Sequence, residues 1–112
     1  MTRKLDALRR ECGAVGRDPA SLRVTEEAVL ALAPRPDRVD DARALAMRRF
    51  PGPGWGFDAG GYCGTPDAIV RRIEERRALG VEGFVFFLHD RGEAETLRLL
   101  AREVVPAVTR AA

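Results

Sequence analysis

The chain has 112 residues, room for one small domain. Hydrophobic residues make up 46% and charged residues 32%, which excludes wholesale disorder, and eleven Gly and seven Pro are too few for a fibrous chain. Nineteen basic and seventeen acidic residues leave a net charge of +2, and the two signs interleave along each candidate helix, so no basic face for nucleic acid is expected.

The longest apolar runs, 28–33 and 84–88, are too short to cross a bilayer. The charged N-terminus is followed by no apolar run, so no secretory signal is expected. Cys12 and Cys63 lie far apart without metal-ligand spacing, and the expectation is two reduced thiols in a cytoplasmic protein with no metal. Lys4 is the only lysine, a bias toward arginine that fits codon composition before any phosphate-binding role.

Residues 3–15 carry Leu5, Leu8, Cys12 and Val15 at helical spacing, and Gly16 provides a stop. Cys12 falls on the apolar stripe, a core position. Arg17-Asp18-Pro19-Ala20 has turn chemistry. Residues 23–33 end in a continuous apolar run cut off by Pro34 and Pro36, the pattern of a parallel strand buried on both faces. Residues 37–50 predict a short helix capped by Asp37, with Val39, Ala42, Leu45 and Ala46 on one side.

The stretch 51–64 holds six glycines and the aromatics Trp55, Phe57 and Tyr62, which predicts a long Gly-rich loop or lid without a regular element. Its aromatics either face a pocket or pack within the loop. Thr65-Pro66-Asp67 is a strong helix start, and that helix runs through Ile69, Val70, Ile73 and Leu79 to Gly80, with Arg71 and Glu75 one turn apart. Residues 81–88 are a second strand, again apolar without alternation. His89-Asp90-Arg91-Gly92 is a polar loop in which Asp90 can cap the last helix. That helix, 93–110, carries Leu97, Leu100, Val104 and Val108, and Pro106 should bend its final turn.

The expected fold class is α/β: two parallel strands with a helical crossover and a helix on each side, in one incomplete domain spanning 1–112. Two strands do not finish a sheet, and both outer edges would present unpaired backbone groups. The chain therefore reads as part of a larger fold, or as a protomer completed by a partner, either a homo-oligomer or a complementing half.

Four segments in order, 8–20 (LRRECGAVGRDPA), 64–67 (GTPD), 80–87 (GVEGFVFF) and 95–107 (ETLRLLAREVVPA), resemble the C-terminal end of luciferase-like monooxygenases. The resemblance covers about residues 4–110. It implies a partial (β/α)8 TIM barrel, with 23–33 as strand seven, 65–79 as helix seven, 81–88 as strand eight and 34–64 as the insertion after strand seven. It also implies an oxidoreductase acting on a small organic substrate with FMN or the deazaflavin coenzyme F-420. The first six strands are absent from this sequence, and with them much of such a family's cofactor pocket, so the chain alone is expected to be inactive.

Barrel chemistry collects at the C-terminal ends of strands. His89, the only histidine, follows the second strand directly. It is the candidate catalytic residue, donating a hydrogen bond to flavin or substrate or shuttling a proton; the alternative is a loop histidine packed near the last helix. Arg35, Gly60, Gly61, Gly64 and Thr65 are the candidate cofactor contacts, where glycines would let backbone amides and a helix N-terminus approach a phosphate, with Arg38 adding charge. Against that stand Asp67 in the first turn and the lack of a dinucleotide or P-loop glycine pattern. Two further readings are a non-catalytic interaction module that oligomerises through its open edges, and a small phosphate-ligand binder.

Overall fold

The computed structural model describes residues 2–54 and 56–109; Trp55 and Arg110 lie outside them. The elements are helix α1 (Thr2–Ala14), strand β1 (Thr25–Leu32), helix α2 (Val39–Arg49), strand β2 (Tyr62–Gly64), helix α3 (Pro66–Ala78), strand β3 (Gly83–Leu88), and a final helix in three pieces. Those pieces are α4 (Ala94–Leu99), a π-helical turn (Leu100–Val104) and α5 (Val105–Thr109). Single 3-10 turns occupy Pro19–Ser21, Pro36–Arg38 and Phe57–Ala59.

The strands form one open, parallel sheet in the order β2-β1-β3. β1 is central. Its second half pairs with β2, Leu30 opposite Tyr62 and Leu32 opposite Gly64. On its other side Thr25 pairs with Gly83 and Leu30 with Leu88. Side chains alternate across the sheet, so the run Val29–Ala33 feeds two cores at once. Val29, Ala31 and Ala33 pack with Ala42 and Ala46 of α2 and with Phe57. Leu30 and Leu32 pack on the opposite face with Tyr62, with Ile69 and Ile73 of α3, and with Val104 of the final helix. Helices thus cover both faces, which is why the second half of β1 is apolar without alternation.

Three expectations need correction. Residues 62–64 are a strand despite the glycines around them. A three-residue pairing needs little regular sequence, and Tyr62 anchors it with no exposure at all. The ladder continues into the Ala33 N–H, which donates to the Gly64 carbonyl at 2.9 Å.

Second, β3 is not buried on both faces. Val85 and Phe87 remain 49% and 50% exposed. They lie on the α2 side of the sheet, where α2 packs mainly over β1 and β2 and its C-cap Phe50 brings its ring to 6.5 Å from that of Phe87.

Third, α2 starts at Val39 after a 3-10 turn, and its N-cap Arg38 makes no side-chain capping bond. Asp37 instead accepts from Arg35 Nε at 3.1 Å.

The bend expected at Pro106 appears as a widened turn. Proline has no N–H to give the carbonyl four residues back, and its ring crowds that carbonyl. The Val105 N–H accordingly donates to the Leu100 carbonyl, five residues back. On α3 the observed ion pair joins Arg77 and Glu74 at 3.1 Å, rather than Arg71 and Glu75. Cys12 is buried as expected, and both cysteines are free thiols. Among the described residues no helix is long and apolar enough to cross a membrane.

Candidate functional site

The polypeptide leaves β1 toward α2 on one face of the sheet and leaves β3 toward α4 on the other. Where neighbouring parallel strands send their connections to opposite faces, a crevice opens at their carboxyl ends, the usual ligand position of open α/β sheets. A crevice of about 390 Å³ occupies this place. One wall is Leu32, Ala33, Pro34 and Leu45; the other is formed by His89, Asp90 and the start of the final helix as far as Leu99.

His89 is fixed by its backbone. Its N–H donates to the Leu30 carbonyl at 3.0 Å, and its carbonyl accepts from Arg49 Nη1 at 3.3 Å. The residue is buried, 7% exposed. Its Nε2 lies 3.9 Å from Asp90 Oδ2, while its Nδ1 is buried with no hydrogen-bond partner among the described residues.

Asp90 is the knot of this corner. Oδ1 accepts from the backbone N–H of Gly92 at 3.1 Å and of Glu93 at 3.4 Å. Oδ2 accepts from the buried Thr96 hydroxyl at 2.5 Å. Burial alone would push the Asp90 carboxyl up. The Thr96 hydroxyl, the two backbone donors and the neighbouring His89 outweigh it and hold the group below the usual carboxylate range. Asp90 therefore ties the entry of the last helix, as expected, although the N-cap position itself is Glu93. The turn carries one strained residue, Arg91 at φ +62°.

The sequence-derived cofactor contacts are placed apart from one another. Gly60 and Gly61 precede β2, and their carbonyls accept from Arg72, at 3.3 Å and 2.7 Å. Gly64 and Thr65 lie at the opposite end of β2, and Thr65 takes the N-cap position of α3 without a side-chain capping bond. Arg35 is exposed and paired with Asp37. Phe57 and Tyr62 are buried in the two cores. Burial pushes the Cys63 thiol up against the opposing charge of Arg43, so a nucleophilic thiolate is disfavoured. No group of three or more metal-ligating side chains occurs among the described residues.

Two features of the crevice had no signal in the single sequence. Thr96 is an unmarked helical threonine until the fold brings it under Asp90. The acidic rim also comes from separate segments: Asp41 on α2 joins Asp90, Glu93 and Glu95, against the single guanidinium of Arg38. With four carboxylates and one arginine, the residues present do not fit the phosphate of FMN or the acidic tail of a deazaflavin coenzyme. What they do offer is an apolar wall, one imidazole and a negative rim. In comparisons with known proteins, no family model and no curated sequence matches the chain.

Proposed function

We propose that the crevice between β1 and β3 is a small-molecule site, and that the chain is a C-terminal portion of a luciferase-like oxidoreductase barrel to which it contributes the substrate end of the pocket. The observation that carries this reading is His89: a buried imidazole with an unsatisfied Nδ1, at the carboxyl end of a parallel strand, lining a crevice. An orphaned buried polar atom costs about 1–3 kcal/mol unless something binds it. The unfinished sheet adds support. β3 has an unpaired outer edge with Val85 and Phe87 uncovered. The radius of gyration is 15.6 Å, against about 13 Å for a compact domain of this length.

In this reading β1 and β3 are adjacent barrel strands, and α2 belongs to the insertion 34–64 rather than to the outer ring of helices. His89 accepts a hydrogen bond, then a proton, from substrate at Nδ1. Asp90 stabilises the resulting imidazolium from the Nε2 side. Leu32, Pro34, Leu45 and Leu99 keep water from the reacting group. A flavin or deazaflavin supplies the redox chemistry when bound, and its phosphate is held by other parts of the barrel. The test is a chimera in which this chain replaces the corresponding segment of an active luciferase-like oxidoreductase. His89→Ala should lower kcat by about 10²-fold with flavin affinity unchanged. Undiminished turnover would remove His89 from the reaction.

The exposed Val85 and Phe87 favour a second reading, self-association through the β3 edge. Sedimentation should then show a concentration-dependent dimer that Phe87→Lys weakens. A monomer at every concentration refutes it.

A further inference from the structure

We propose that the crevice selects a small organic ammonium ion with an apolar body; the proposal deepens the reading of this crevice as a substrate site and rests on it. Two independent observations carry it, one about the rim and one about the floor.

The rim is negative. Asp41, Glu93 and Glu95 are exposed around the opening, Asp90 is half-buried beneath them, and Arg38 is the one guanidinium among the described lining residues. Low-dielectric walls of Leu32, Pro34, Leu45 and Leu99 concentrate that field. An anion would meet carboxylates, whereas a cation meets their attraction.

The floor lacks a donor. The Asp90 carboxylate is ionised and already accepts from three donors, so it has no proton to offer His89. A neutral imidazole places its proton on the nitrogen facing the carboxylate, Nε2, 3.9 Å away. The lone pair is then left on Nδ1, which has no partner among the described residues and is closed to water as the ring stands, so a ligand reaches it by a small turn of the His89 ring. A ligand completes this site by giving an N–H, and an ammonium group gives one while answering the rim charge. A volume of about 390 Å³ holds a single ring or a short branched chain behind that group.

The probe is benzylammonium chloride, with benzyl alcohol and sodium benzoate as neutral and anionic isosteres. The readout is the 15N resonances of His89, the only histidine in the chain, together with backbone shifts at Leu32, Leu45 and Thr96. Benzylammonium should shift the His89 ring nitrogens and bind about ten times more tightly than either isostere, and raising salt should weaken it. The double variant Asp41→Asn/Glu95→Gln, at exposed positions, should weaken benzylammonium about five-fold and leave benzyl alcohol unchanged. If benzyl alcohol shifts His89 and the ammonium binds no better, the cation preference is wrong while the crevice remains a site. Preferred binding of benzoate also overturns the preference. If none of the three probes moves the His89 nitrogens, the proposal and the underlying site reading both fall.

Discussion

Tyr62 gives the sharpest test of how this small sheet is held together. It is the only tyrosine in the chain and is fully buried. Its hydroxyl donates to Glu26 Oε1 at 2.7 Å, its ring meets Phe86 edge-on at 5.0 Å, and the Arg72 guanidinium lies 4.0 Å from its centroid. Ionising Tyr62 would bury a phenolate beside a carboxylate. Burial first, and Glu26 second, therefore push the phenol far above its ordinary value, despite Arg72. The sign follows from linkage. A group whose folded-state value is raised stabilises fully below its unfolded value, about 10 for tyrosine, and that stability drains away as pH rises beyond it. By pH 11 the unfolded chain gains about 1.4 kcal/mol from ionising this residue while the folded chain gains nothing. Tyr62→Phe should cost about 1.5–3 kcal/mol at pH 8, because Glu26 loses its short donor. The gap between variant and parent should then close by about 1.4 kcal/mol between pH 8 and pH 11. Urea unfolding of both proteins across that range measures it, and the Cys63 contribution, present in both, cancels. Tyrosinate absorbance gives a second readout: none should appear while the chain stays folded. A folded chain that shows tyrosinate at pH 11, or a gap that does not close, would refute the account.

Arg91 holds φ +62° in the turn after β3, a conformation that costs a side-chain-bearing residue about 1–2 kcal/mol. Arg91→Gly should be more stable than Arg91→Ala by about 1 kcal/mol, read as a higher urea midpoint; equal midpoints would mean the turn carries no strain. Asp90→Asn should cost about 1–3 kcal/mol near neutral pH, because an amide answers the Thr96, Gly92 and Glu93 donors less well than a carboxylate. The stability that Asp90 supplies is present above about pH 4 and lost as pH falls through its depressed value, so the variant should show a shallower acid limb. An acid limb as steep as that of the parent would show that Asp90 is not tied in this way.

The elements that dominate the fold were legible because their signals are local. The Pro34 and Pro36 stop after β1, the Thr65-Pro66-Asp67 start of α3 and the Gly80 exit are chemistry within a few residues. β2 was not legible, because its evidence lies elsewhere: a free edge on β1 and room for the Tyr62 ring against Ile69 and Ile73. The exposure of Val85 and Phe87 was hidden for a related reason. An apolar run shows that a strand lacks polar residues, not that a helix covers each face. Coverage depends on strand order, and the order β2-β1-β3 carries α2 away from β3.

The site divides along the same line. His89 could be marked from its place after a strand, since position alone puts it at the carboxyl edge. The glycine-based contacts depend on orientation that no single sequence carries, because glycine permits close approach by a carbonyl as readily as by an amide. Here Gly60 and Gly61 turn their carbonyls to Arg72, so that segment satisfies a cation of its own chain. Charge was the least legible property. The chain is nearly neutral, with signs interleaved along each helix. Folding separates what the sequence mixes: Arg72, Arg76 and Arg77 of α3 turn inward to Gly61, Glu26 and Val108, while Asp41, Glu93 and Glu95 meet around one opening. A ligand approaching that opening experiences the local rim, within about one Debye length, and not the net charge of +2. On the proposed reading, specificity would follow from which carboxylates the sheet's carboxyl edge gathers over the imidazole of His89.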